Sequence, residues 1–201
     1  MGRVHITPDP FTVVPYEVPV IAALVEEAAA LVGFPSDVEI DLDIDEDLPH
    51  PLVGTASDIV DGRAVLWMSG GNLESTHRNR EFSEPSARRD LVQMLLRAND
   101  RLSEGFASAP PDIDLSLAER IAWDTWTHAR AGRLGIENRP DRMRYDFRLQ
   151  HGFSDAADAA FDRLWDAQTL TWDGLREICK ETGAADRPVS KVPTDLLRRK
   201  G

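Results

Sequence analysis

Apolar positions along this chain follow two different periods. From Tyr16 to Val32, the residues Val20, Ile21, Leu24, Val25, Ala28, Leu31 and Val32 recur three and four apart, which places them on one stripe of a helix. Gly33 followed by Phe34-Pro35 supplies the exit. From Val38 to Ile44 the period drops to two. Val38, Ile40, Leu42 and Ile44 face one way and Glu39, Asp41, Asp43 and Asp45 the other, which predicts a strand with an acidic outer face. Ser57 to Val60 and Arg63 to Met68 then flank Asp61-Gly62, a pair suited to the positive φ angles of a two-residue turn, so a hairpin is expected.

The remainder reads as helical. Ser83-Glu84-Pro85 opens a second helix that carries Leu91, Leu95, Ala98, Leu102 and Phe106 on one stripe, broadened by Val92 and Leu96. Ser116-Leu117-Ala118-Glu119 has the form of a capping box and predicts a third helix reaching about Ala131. Ser154 and Thr171 open two more, the first with Ala157, Phe161, Leu164 and Trp165, the second with Leu175, Ile178 and Cys179 before Gly183. Residues 139–150 fit either state: Met143, Tyr145, Phe147 and Leu149 alternate like a strand, while Met143 and Phe147 alone suit a helix. The expected fold is α+β, a small and mostly antiparallel sheet packed against helices on one face, with a helical C-terminal half. No long linker interrupts it, so one domain is expected over 1–183, followed by a basic tail at 184–201.

Composition narrows the function classes. Apolar residues make up 42% and charged residues 29%, too apolar for a disordered chain. No stretch is apolar enough to cross a membrane, and the first ten residues lack the apolar core of a signal peptide, so a soluble, cytoplasmic protein is expected. Cys179 is the sole cysteine, which excludes an internal disulfide and a multi-cysteine metal site, and its apolar neighbours Leu175 and Ile178 point to a buried thiol. The net charge of -12 disfavours nonspecific binding to nucleic acid or anionic membrane. That charge is uneven, because the tail holds Arg187, Lys191, Arg198, Arg199 and Lys200 against Asp186 and Asp195.

Candidate chemistry is sparse. The acidic row Glu39, Asp41, Asp43 and Asp45 invites a calcium reading, but counting from Asp41 the sixth position is Glu46, where a calcium loop needs glycine, and the twelfth is Leu52, where it needs an acid. A solvated strand face accounts for it better. Ser69-Gly70-Gly71-Asn72 follows a strand yet lacks the spaced glycines and lysine of a phosphate loop, and no Gly-x-Ser-x-Gly elbow occurs. The best local pair is Asp124 and His128, four apart on one helix face. With His77 brought in from elsewhere they could hold a metal, although an acid and a histidine at that spacing more commonly form one polar contact at the edge of a core. No cofactor is implied. Trp123 and Trp126 beside that pair, with Arg142, Arg144 and Tyr145 in the most basic stretch of the body, are the candidate binding surface, where core packing of the tryptophans and internal ion pairing of the arginines compete with a ligand role.

The order of elements, an opening helix, a small sheet, a long helix after a polar loop, and then a helix beginning Ala118-Glu119-Arg120-Ile121-Ala122-Trp123-Asp124, resembles compact zincin-like metalloproteases over about residues 17 to 135. The resemblance implies a helix after the sheet carrying His-Glu-x-x-His, two zinc ligands and a base, and a later helix with a Glu-x-x-Ala-Asp-like stretch. Glu119 and Ala122 match the later stretch, with Trp123 standing before Asp124. The first helix departs from the pattern: residues 86–106 hold no histidine and no glutamate before Glu104. The chain is therefore expected to be a noncatalytic zincin-like scaffold acting through protein interaction. The alternatives are a metal-dependent hydrolase with a nonstandard site, or a small regulatory binding module.

Overall fold

The computed structural model describes residues 3–78 and 80–184. The predicted tail at 184–201, Ala184 apart, lies outside the described residues. The chain gathers into two compact units, Met1–Leu102 and Ser103–Gly201, where the sequence pattern, with no linker or shift of composition near residue 102, pointed to a single domain.

In the first unit, β1 (Val4–Thr7) leads into α1 (Val18–Val32), then β2 (Ile40–Asp45), β3 (Thr55–Val60), β4 (Arg63–Ser69) and α2 (Glu84–Leu102). The sheet order is β1-β2-β4-β3. β2 pairs in parallel with both β1 and β4, and only the β3–β4 hairpin is antiparallel. The expectation of a mostly antiparallel sheet is therefore corrected to a mixed, mostly parallel one, within an α+β fold. Two physical causes account for the difference. A strand precedes α1, and a strand–helix–strand connection brings its two strands side by side in parallel. The second strand of the hairpin, not the first, then takes the place beside β2.

Most local signals hold, but α2 stops at Leu102, so Phe106 lies outside it, and Leu102, like Val20 and Leu31 of α1, is exposed. Gly33 ends α1 with φ 66°, and Asp61 and Gly62 turn the hairpin with φ 50° and 78°. Ile40, Leu42 and Ile44 of β2 are buried along with Ala64, Leu66 and Met68 of β4, which are their register neighbours. α1 and α2 pack together and against this sheet. On the opposite face Arg63 binds Asp41 through two hydrogen bonds, 2.8 and 2.6 Å, and also reaches Glu39. Hydrogen bonding from Arg63 holds the Asp41 carboxyl below its ordinary range, against a smaller opposing effect of burial. Arg63 thus pairs the first two acids of the row, Glu39 and Asp41, on the outer sheet face.

The second unit is helical: α3 (Leu117–Arg133), α4 (Pro140–His151), α5 (Asp155–Asp166) and α6 (Trp172–Glu181). The capping box is complete, with the Glu119 amide donating to Ser116 Oγ at 3.2 Å and the Ser116 amide to Glu119 Oε2 at 3.0 Å. Ser154 and Thr171 cap α5 and α6 as expected. The ambiguous stretch 139–150 is helical, with proline in its first turn. Met143, Phe147 and His151, four apart, turn into the core, while Tyr145 and Leu149 stay outside.

An aromatic cluster fills this unit. Phe106 lies 4.6 Å from Trp123 and stacks on Trp126 at 5.6 Å, and Trp172 closes on Trp123 at 5.8 Å. His151 is buried, stacked on Phe147 at 3.9 Å. Its Nε2 lies 3.0 Å from the Ala118 carbonyl, which can only accept, so that nitrogen carries a hydrogen, and its Nδ1 meets Thr182 Oγ1 at 2.8 Å. One side chain so ties together the start of α3, the end of α4 and the end of α6.

Candidate functional site

In the first unit the polar residues gather where β1, β2 and β4 deliver their carboxyl ends, the edge at which open parallel sheets commonly hold ligands. Asn72 is the hub of one network. Its Oδ1 accepts from the Gly54 amide (3.0 Å) and lies 2.8 Å from Ser69 Oγ, while its Nδ2 donates to Asp90 of α2 at 2.8 Å. Ser69 Oγ also lies 2.7 Å from the Leu52 carbonyl, and one hydroxyl hydrogen serves only one of these acceptors at a time. Asp90 takes a further contact from Arg89 at 2.8 Å. Gly71 sits so close to the preceding loop that a methyl group there would meet His50 N at 2.7 Å and Leu52 O at 2.8 Å.

Glu74 is the second hub, with a fully buried side chain. Its Oε2 accepts from the amides of His50 (3.2 Å) and Arg80 (3.0 Å), fastening two loops to one carboxyl. Tyr16 is held edge-on between Phe11 and Phe82, and its buried hydroxyl approaches Glu74 without completing a well-directed hydrogen bond. Burial first, and the neighbouring Glu74 second, raise the Tyr16 pKa well above its ordinary value, so the phenol stays protonated.

Glu46 straps the N-terminal segment to the same edge. It accepts from the Thr12 hydroxyl at 2.8 Å and the Val13 amide at 2.7 Å. Burial pushes its carboxyl upward, but the hydrogen bonds from Val13 and Thr12 outweigh this and hold it below the ordinary range. A depressed folded value means that these contacts contribute stability above the unfolded-chain value and lose it as the pH falls through the folded one. The amide proton resonances of Thr12 and Val13 are therefore expected to titrate together at a midpoint below that of an unpaired glutamate. A midpoint at or above it would contradict the strap.

The residues singled out by sequence fall in both units. His128 Nδ1 donates to the backbone carbonyl of Asp124 at 2.8 Å, so the pair makes a ring-to-backbone contact within α3. His77 is exposed on a loop of the first unit, where its amide donates to Ser75 Oγ at 3.2 Å. Among the described residues, no three His, Cys, Asp or Glu side chains gather where they could hold a metal ion. Trp123 and Trp126 are 0% and 4% exposed and belong to the core, Trp126 donating through Nε1 to the Ala167 carbonyl at 3.1 Å beneath the Arg130 guanidinium. Arg144 is drawn to Asp158 and Asp162 of α5, and Arg148 binds Asp158 twice, at 2.7 and 2.6 Å. Cys179 is buried, and burial first, with Glu119 second, pushes its thiol up to about 12, which removes it as a nucleophile.

Arg142 and Tyr145 remain on the surface, and the fold adds two neighbours to them. Tyr145, Leu149 and Phe153 are 55%, 49% and 64% exposed. Gly152 ends α4 with φ 99°, and Phe153 beyond it meets Tyr145 edge-on, with ring centroids 6.0 Å apart. Sequence patterning did not mark Leu149 and Phe153 as surface residues, because alternation placed Leu149 with the core residues and Phe153 carried no periodic signal. The glycine before Phe153 was the available clue. No helix among the described residues is long and apolar enough to cross a membrane. Comparison with protein families, with curated proteins and with solved structures found no match to this chain.

Proposed function

We propose that this protein is a noncatalytic scaffold, zincin-like in the order of its elements, that acts through protein interaction at the Tyr145, Leu149 and Phe153 cluster. The observation that carries this reading is the exposure of three large apolar side chains side by side, since contiguous apolar surface on a folded chain marks interaction sites. α2 supports the noncatalytic half. Where the zincin-like pattern would have two histidines and a glutamate, α2 buries Leu91, Leu95 and Ala98 as core, and its Asp90 is engaged by Asn72 and Arg89. The Asp124 and His128 pair supports it too, since the imidazole turns to the Asp124 backbone carbonyl and not to its carboxyl. The regulatory-module reading depends on the tail, which lies outside the described residues.

Elemental analysis of protein purified with neither chelator nor added metal tests the proposal. Substoichiometric metal is expected. One tightly held transition-metal ion per chain would overturn it in favour of a hydrolase.

A further inference from the structure

The two faces of the first unit's sheet differ. Ala64, Leu66 and Met68 of β4 are buried on the face against which α1 and α2 pack. The outward residues of the same strand are not: Val65 is 38% exposed, Trp67 is half-buried, and Val60 on neighbouring β3 is 49% exposed. Outward Asp41, Asp43 and Asp45 of β2 also stay outside the core. Sheets with mostly parallel strands are ordinarily covered on both faces, because their crossover helices lie on both, so this face is short of a layer. Register divides it by chemistry. Val65 and Trp67 stand beside Asp41 and Asp43, which sets an apolar strip on β4 and β3 roughly 4.8 Å from an acidic strip on β2. The cations of the face lie at the start of the acidic strip, where Arg63 pairs Glu39 and Asp41, and His5 is the register neighbour of Asp41. At its far end Asp45 accepts from a neutral donor, the Asp47 amide, at 3.2 Å.

We propose that this face docks a basic amphipathic helix of a partner protein. A helix fits because a sheet face, not an edge, is on offer: faces are covered by helices, whereas extended peptides add at edges. The helix lays its apolar stripe over Val60 and Val65. Lysine or arginine along one border of that stripe meets Asp43 and Asp45, and an arginine there also stacks on the Trp67 indole beside Asp43. The sign of the partner follows from charge complementarity. Acidic residues outnumber basic ones by more than two to one in Met1–Leu102, which repels an acidic helix and draws a basic one. This surface lies on the other unit from the α4 cluster, goes beyond the reading of that cluster, and stands or falls without it.

Two synthetic peptides test this, each of about 18 residues, or five helical turns, with the same leucine stripe bordered by lysine in one and by glutamate in the other. Each is titrated into the isotope-labelled full chain and followed by amide resonances. The lysine peptide is expected to shift the amides of Asp43, Asp45, Val65 and Trp67 to saturation, and the glutamate peptide to leave them in place. Val65→Lys, a change at an exposed position that sets a cation in the apolar strip, is expected to weaken binding about tenfold or more with the remaining amide spectrum unchanged. Asp43→Asn combined with Asp45→Asn is expected to weaken it several-fold, and raising the salt to roughly 0.5 M to do the same in the wild type. A lysine peptide that moves none of these amides overturns the proposal. So do shifts scattered over the whole acidic surface or confined to α4, an equal response to the two peptides, or binding indifferent to Val65→Lys.

Discussion

Replacing Trp123 with alanine is expected to remove most of the stability of the second unit. The indole is fully buried against Phe106 and Trp172, at the centre of a cluster that draws on α3, α4, α5 and α6. Truncating a buried tryptophan destabilises by about 3–5 kcal/mol through lost transfer energy and the cavity left behind. That is comparable with the whole stability of many domains, about 5–15 kcal/mol. Trp123→Phe retains an apolar ring and should lose distinctly less. Urea unfolding followed by circular dichroism measures both. An alanine variant within about 1 kcal/mol of wild type would mean that this cluster does not hold the helices together.

The second large effect is expected at Glu74. Glu74→Ala leaves the amides of His50 and Arg80 without their acceptor and leaves the buried Tyr16 hydroxyl facing a void. Each stranded buried donor costs about 1–3 kcal/mol, so a loss of roughly 3 kcal/mol or more is expected, together with faster proteolysis in the loop between Glu74 and α2. Glu74→Gln keeps the shape and one acceptor oxygen and should recover part of it. If alanine and glutamine behave alike and both lie near wild type, Glu74 does not organise these loops. This carboxyl had no signal in the sequence. It sits in a polar stretch among other acids, and what distinguishes it is complete burial by loops that the chain order keeps apart.

The same contrast runs through the molecule. The calcium reading of the acidic row failed on spacing alone, and the structure supplies the residue that answers its first two acids, Arg63, from a neighbouring strand. Asp124 and His128 share a helix face as their spacing required, but spacing says nothing of rotamer, and the imidazole turned to the backbone carbonyl instead of the carboxyl. Residues 139–150 were ambiguous because a stretch of apolar alternation satisfies both periods. Tertiary burial decided it, taking Met143 and Phe147 inward and leaving Tyr145 and Leu149 outside.

By itself, the sequence determined what depends on residues within about four positions of one another: the helices other than α4, their serine and threonine caps, the glycine exit of α1 and the Asp61-Gly62 turn. Such features are set by backbone conformation and by side chains reaching their own local amides. Only the tertiary structure decided the rest. The four residues of β1 are too short to show a period and gain their meaning from pairing with β2, thirty-six positions on, which is also what makes the sheet mostly parallel. The Asn72–Asp90 and Glu46–Thr12 contacts, and the meeting of Phe153 with Tyr145, likewise join groups that no local rule links. Long-range burial and hydrogen bonding choose among faces that periodicity leaves equivalent, and the α4 surface emerged from that choice.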